Sequence, residues 1–446
     1  MDARTAMPVG QAAAASAGYR RWLLFVLLLV CFINYADRAV VGAVAEPLRR
    51  EFGLTDLQLG VLSGFSFALL YSVLGIPIAR LAERRNRIRI ITAATVLWSL
   101  LTALCGTAAG YVQLLLLRVG VGVGEAGFMA PATSVLGDHF QRHERALATS
   151  IMMLGVPFGA LVGAASGGAI AQHMGWRWAF ILTGIPGLFI AALVFLTLRE
   201  PERGCAADPA EQQPPALGVV ARQCLSNPTF RHVVMGGTLG GFGLHGLGQF
   251  LGVYFTRLHA LSYSAAGALY GAQTFASVAG GLLLGGSLAN RLGRRDPRWY
   301  ALIPAIGMFL CVPLYLAGFR ATDLAASVGL IVAAGVCLLL HYGPSFAIVQ
   351  NLATPRTRAS SVALYMVFVN AVAMGLGAPL IGLLSDLFAR QAAHAAACVS
   401  IAACPGVQST GLQRALMAST VFYAWGGLHY LRARAGLARP HDGAGP

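Results

Sequence analysis

The sequence predicts an all-α membrane protein of twelve transmembrane helices in two pseudo-symmetric six-helix bundles, with both termini in the cytoplasm. Three observations predict it: a shortage of charge, twelve apolar runs of spanning length, and arginines that alternate between the two sides. Of 446 residues, 57% are hydrophobic and 11% charged, whereas a soluble domain carries roughly 25% charged residues. Lipid must therefore solvate most of the surface. A net charge of +15 would point to nucleic acid in a soluble chain. Here the position of each charge matters more than the sum, and no nucleic-acid partner is expected.

Crossing about 30 Å of hydrocarbon takes about 20 apolar residues. The first such run, 21–43, follows Arg20 and Arg21. It lacks a small-x-small cleavage site and similar runs follow it, so it reads as a helix and not as a signal peptide. Five more lie near 58–80, 89–108, 111–136, 147–172 and 178–198. A polar, proline-rich stretch at 199–230 then separates the halves and reads as a cytoplasmic linker. The second six runs lie near 232–255, 264–289, 299–318, 324–350, 359–386 and 412–432. The layout is a tail at 1–20, a bundle at 21–198, the linker, a bundle at 231–433 and a tail at 434–446.

Every one of the 32 basic residues is arginine, and their placement tests the count. With the N-terminus inside, cytoplasmic segments hold 23 arginines and outer segments seven: Arg49, Arg50, Arg177, Arg257, Arg320, Arg390 and Arg414. Arg38 and Arg118 fall inside spans. A missed helix would invert every later loop and destroy this bias.

The loop after the second span contains Leu81-Ala82-Glu83-Arg84-Arg85-Asn86-Arg87, and that after the eighth contains Leu288-Ala289-Asn290-Arg291-Leu292-Gly293-Arg294. Both read Leu-Ala-x-Arg-x-x-Arg, offset by 207 residues from Leu81 to Leu288. Arg145-Ala-Leu-Ala-Thr-Ser150 is echoed by Arg358-Ala-Ser-Ser361. Duplicated six-helix units suit transporters that rock one half against the other.

The paired loops resemble motif A of the major facilitator transporters, whose acid and arginines cap helix ends and latch the cytoplasmic side. Glu83, Arg84 and Arg87 fit the first copy, with Ala79 in place of a glycine; Arg291 and Arg294 fit the second, where Asn290 replaces the acid. Asn34-Tyr35-Ala36-Asp37-Arg38, Arg118-Val-Gly-Val-Gly-Val-Gly124-Glu125-Ala126, Gly155-Val-Pro157-Phe-Gly159 and Tyr342-Gly343-Pro344-Ser345-Phe346 resemble the bacterial branch of the Spinster family. The resemblance implies the major facilitator fold, and it implies proton coupling at Asp37 and Arg118. Anion:cation symporters share the Asn-Tyr-x-Asp-Arg and Gly-Glu-Ala signatures.

Ionisable groups within a membrane are costly and mark function by default. Asp37 lies six residues from the outer end of its span and Arg118 seven from that of its own. At 1.5 Å per residue both sit about 10 Å deep, so they can pair. Glu125 follows Arg118 by seven residues, on the same face and about 10 Å deeper. Arginine keeps its proton while a carboxylate in a low-dielectric cavity can take one. Protonating Asp37 would free Arg118 for an anionic substrate or for closure, with Glu125 as a second proton or substrate site. The alternative is a salt bridge that only fixes helix packing.

Further substrate-binding candidates are Asn34, Tyr35, Arg38, Met129, His245, Gln249, Gln273 and Asn370. His245 and Gln249, at i and i+4, share a face; each polar residue can equally bond a neighbouring helix. Phe65, Phe67, Phe128 and Met129 are candidate cavity liners. Gly120, Gly122 and Gly124 read as close-packing positions. Cys398 and Cys404 stand in an expected outer loop, where a disulfide and free thiols are equally compatible with the sequence.

The function expected is a proton-coupled carrier of an amphipathic or anionic solute, driven by the proton gradient without a cofactor or metal. Lysophospholipid-like or sphingoid cargo is what the Spinster resemblance implies, with export slightly favoured. An organic-anion:proton symporter is the alternative, and a membrane-embedded sensor a remote one. An enzyme is not expected, because the loops hold no nucleophile–base or metal-binding set. The chain is expected to act as a monomer in a bacterial inner membrane, with the bilayer, protons and the solute as partners.

Overall fold

A computed structural model describes residues 16–141, 144–200, 217–354, 357–398, 404 and 406–437. Most of both expected tails, and 201–216 of the expected linker, lie outside the described residues. The chain enters α1 (Ala17–Ala43), capped by the Ser16 side chain on the Tyr19 N–H. There follow α2 (Ala45–Phe52), α3 (Asp56–Gly60), a π turn at Val61–Phe65, α4 (Ser66–Arg84), α5 (Arg87–Cys105) and α6 (Tyr111–Glu125). The first half ends with α7 (Met129–His139), α8 (Arg145–Met153), α9 (Gly155–His173) and α10 (Trp176–Thr197).

A helix within the expected linker, α11 (Leu217–Ser226), precedes α12 (Pro228–Leu258). The Asn227 carboxamide caps α12 with Pro228 in its first turn, a position where the missing N–H costs nothing. The second half continues with α13 (Tyr263–Gly293), α14 (Trp299–Arg320), α15 (Leu324–Leu339), α16 (Tyr342–Leu352) and α17 (Arg358–Phe368). After a π turn at Val369–Met374 come α18 (Gly375–Ala395), α19 (Val407–Ser419) and α20 (Val421–Ala433). Within the expected linker at 199–230, the apolar run Leu217-Gly-Val-Val begins the helix α11.

Among the described residues, nine helical stretches are long and apolar enough to cross a membrane. The expected spans at 58–80, 232–255 and 412–432 also lie on helices, the last two of mixed polarity. Arg231, His232, His245 and Gln249 on α12, and Gln408, Gln413 and Arg414 on α19, dilute their apolar character. Large apolar side chains such as Phe189, Leu196 and Leu283 face outward. A lipid-solvated surface requires this.

The two halves repeat one packing scheme. In the first, α1 packs on α9 and α10, and α5 on α10 and α6. In the second, α12 packs on α18 and α20, and α14 on α20 and α15. The expected single spans 4 and 10 are broken at equivalent places, after Glu125 and around His341. Span 5 breaks at Leu154, and its counterpart, span 11, carries the Val369–Met374 π turn. Such interruptions are common at functional sites and hinges.

The halves meet along two crossed seams, α9 against α13 and α3 against α18. Seen along the bundle, Ser16 and Leu437 lie at one end, here termed proximal; the opposite end is distal. On α9, Gly155, Gly159 and Gly163 let α1 approach so closely that any side chain would collide with the backbone of Phe32 or Ala36. Gly267 on α13 is equally tight against the Ala164 carbonyl of α9. A Gly267→Val wedge should therefore part the distal seam. A cysteine placed at Gln249 would then react at least about tenfold faster with a membrane-impermeant thiol reagent than in the parent; an unchanged rate would contradict the seam.

Candidate functional site

The glycine contacts of α9 bring α1 into the middle of the first half, where it faces α5 and α6. Gly120 and Gly124 let α6 lie against Leu101 and Trp98 of α5. Three helices thus converge on a volume too tight for uncompensated charge. Asp37 is 2% exposed and Arg118 is 2% exposed. Arg118 Nη1 donates to Asp37 Oδ1 at 3.2 Å, and the Thr102 hydroxyl of α5 donates to Asp37 Oδ2. The pairing expected from equal depth is present.

Glu125 does not extend that pair into one ladder. It accepts from Arg38 Nε at 2.6 Å, forming a second pair beside the first. Side chains on a helix lean toward its N-terminus, so Arg38 on α1 reaches proximally. There it meets Glu125, two turns further along α6 than Arg118. The Arg38 guanidinium also lies over the rings of Tyr35 at 4.8 Å and Tyr71 at 5.1 Å. Two acids and two bases leave the site neutral overall. Arg118 Nε, Glu125 Oε1 and Asn34 Nδ2 are buried without hydrogen-bond partners, so capacity for a further polar ligand remains.

The second half contributes to the same region. His245 on α12 lies within the electrostatic reach of Arg38, and Tyr342 within that of Tyr35. One turn further along α12, Gln249 stands against Gly42 of α1. His245 and Gln249 therefore share the face that looks at α1. The other candidates are dispersed. Gln273 donates to Ser277 on its own helix at 3.2 Å. Asn370 sits in the π turn after α17. Met129 packs against the core of the first half. Phe128, expected to line the cavity, is fully buried edge-on to Trp98 and belongs to that core.

The motif-A arginines take different roles. Arg87 is buried, donating to Glu200 at 2.7 Å, Asp138 at 2.5 Å and Ser134 at 2.9 Å. It ties the start of α5 to the end of α10 within the first half, and does not reach across to the second. Arg84, Asn290, Arg291 and Arg294 are exposed. The side chain of Glu83 lies outside the described residues.

The bridge between halves lies at the distal end instead. Arg257 of α12 donates to both oxygens of Asp56 at 2.8 and 2.9 Å and to Glu46 at 2.9 Å. Asp386 of α18 accepts from the Asp56 and Leu57 N–H groups at 3.0 and 2.9 Å, capping a helix of the other half. Sequence reasoning counted Arg257 only as an outer-side arginine and missed this clasp. Burial pushes the Glu46 carboxyl up, but Arg257 and Arg49 beside it prevail and hold it at about 2. Cys398 and Cys404 form a disulfide.

Removing one partner of a buried pair is costly. Arg87→Ala should destabilise the protein by about 3 kcal/mol in thermal unfolding, and Asp138→Asn, which leaves Glu200 in place, by much less. At Glu46 the depressed folded value makes its stabilisation complete above the ordinary 4.5 and lost as pH falls toward about 2. The stability difference between the parent and Glu46→Gln should be constant above pH 4.5 and shrink as pH falls from there toward about 2; a constant difference throughout would contradict the clasp.

This geometry can be compared with known proteins. Residues 27–378 match the Major Facilitator Superfamily model. An MFS-type efflux pump of Mycolicibacterium smegmatis is 32% identical over 361 residues, covering 81% of this chain and 83% of that protein. Protein spinster homolog 1 of Homo sapiens is 28% identical over 402 residues, covering 84% of this chain and 75% of that protein. A crystal structure of a bacterial homologue of the human lysosomal transporter Spinster, inward-facing and unoccupied, superposes with a TM-score of 0.87. It is 29% identical and covers 96% of this chain and all of that one. The protein belongs to the Major Facilitator Superfamily: it is a multi-pass membrane transporter of Spinster-like type, and not an enzyme.

Proposed function

We propose that the protein is a proton-coupled secondary transporter working by alternating access. The observation that carries this reading is the double ion pair between α1 and α6. Asp37 with Arg118 is fully buried, and Glu125 with the partly buried Arg38 stands beside it, where charge is retained only at a cost. Protonation of Asp37 removes the charge that neutralises Arg118. The freed guanidinium then seeks another anion or lets the helices shift. Glu125, paired with Arg38, serves as a second proton site or as a contact for substrate.

The twelve-span topology with cytoplasmic termini fits this reading. In this reading the distal clasp faces the periplasm, and its closure corresponds to an inward-facing state. The cargo is an amphipathic or anionic solute: arginines recognise its head group, and Tyr35, Tyr71 and Tyr342 offer a surface to its apolar remainder. A lysophospholipid-like molecule is the leading cargo, and the resemblance to an efflux pump favours export. The two arginines equally suit an organic acid, the competing cargo.

The test uses proteoliposomes under an imposed pH gradient, with a labelled lysophospholipid in one series and a labelled aromatic acid in the other. Uphill movement of the lysolipid is expected in the parent. In Asp37→Asn the pH-driven component should fall at least about tenfold while folded protein persists in the membrane. Retained proton dependence in that variant would sink the coupling role, and uphill movement of the acid alone would reassign the cargo.

A further inference from the structure

We infer that Thr102 is a positioning residue for the proton site: its hydroxyl sets the pH at which the Asp37 carboxylate takes up its proton. The inference rests on the proton-coupling reading above and adds to it a residue that sequence reasoning left out.

A threonine inside a helix ordinarily returns its hydroxyl to the carbonyl four residues earlier. On α5 itself, Thr92 and Thr95 do so, bonding the Ile88 and Ile91 carbonyls at 2.9 and 2.8 Å. Thr183 on α10 does the same with Ala179 at 2.7 Å. Thr102 departs from this habit. Its hydroxyl crosses to α1 and donates to Asp37 Oδ2, on the carboxylate oxygen that Arg118 Nη1 does not use. The side chain is fully buried, so bulk water offers the hydroxyl no easy substitute.

The surroundings isolate this contact. Facing Asp37 are Arg118 and Glu125 from α6, Arg38 from its own helix and Cys105 from α5. From α9 and α10 the approach is by glycine, Gly163 against Ala36 and Gly187 against Ser99. Arg118 supplies charge, while Thr102 supplies a neutral donor that does not leave when the substrate competes for arginine. A donor to an ionised carboxylate favours the charged form. Without it, Asp37 should protonate at higher pH, and the carrier should release its lock too early.

Purified full-length protein titrated by infrared difference spectroscopy tests this without a substrate. The protonated-carboxyl band of Asp37 is identified by its loss in Asp37→Asn. In Thr102→Val, which keeps shape and removes the hydroxyl, the midpoint of that band should rise by about one pH unit. Thr102→Ser, which keeps the donor and is the smaller perturbation, should leave it near the parental value. A midpoint in Thr102→Val within about 0.3 unit of the parent would overturn the inference and leave the coupling reading intact. If Thr102→Val fails to fold, a Thr102→Ser midpoint shifted as far as in Thr102→Ala would overturn it, and a parental midpoint beside a raised one in Thr102→Ala would support it. An Asp37 band absent between about pH 4 and about pH 9 would overturn both.

Discussion

Asp37 is an acid buried within a membrane-spanning bundle, and such a charge persists only if the chain brings a counter-charge and further donors to it. That requirement organises the first half. Arg118 must arrive on α6 at the right depth, Thr102 on α5 must turn outward from its own helix, and all three helices must lie close. The α9 glycines along α1 and the α6 glycines along α5 provide the closeness. Packing and polar chemistry are therefore one constraint here: side chains at these glycines would separate the charges as well as the helices.

Arg38 and Glu125 extend the constraint toward the second half. Their pair sits among Tyr35 and Tyr71, with His245 in the electrostatic reach of Arg38 and Tyr342 in that of Tyr35. A change in the charge of the inner pair can thus be felt where the two halves face each other. The helix breaks after Glu125 and around His341 lie on equivalent spans. They give each half a local hinge near the shared region. At the distal end Arg257 holds the halves together through three carboxylate oxygens of Asp56 and Glu46, and Asp386 adds a cap on two N–H groups of the other half. The clasp and the central pairs involve separate residues, so coupling between them must travel through α1, α12 and the α9–α13 seam.

Much of this was legible in the sequence because membranes restrict what a chain can do. Apolar runs and arginine placement mark spans, and only a few ionisable residues fall inside them, so Asp37, Arg118 and Glu125 stand out. Equal depth was enough to pair the first two. The partner of Glu125 was not legible, because depth counting ignores how far an arginine leans along its helix; Arg38 closes that gap by reaching proximally. Thr102 was missed because a threonine in an apolar run usually bonds its own helix, and only the three-dimensional approach of α1 reveals the exception. Arg257 reads as an outer-side arginine obeying topology, and Asp56 and Asp386 carry no signal, since nothing local says that residues 201 and 330 positions apart meet. The roles of Gln273 and Phe128 depended on side-chain direction, which periodicity alone leaves open.

The central claim is that the charge of Asp37 governs how the two halves stand relative to each other. It is tested most directly by pulsed electron resonance between spin labels at the exposed distal positions Arg50 and Arg320, measured above and below the protonation midpoint. A distance distribution that shifts with pH is expected in the parent, and one fixed at its low-pH form in Asp37→Asn. A distribution that shifts with pH equally in both proteins would contradict it.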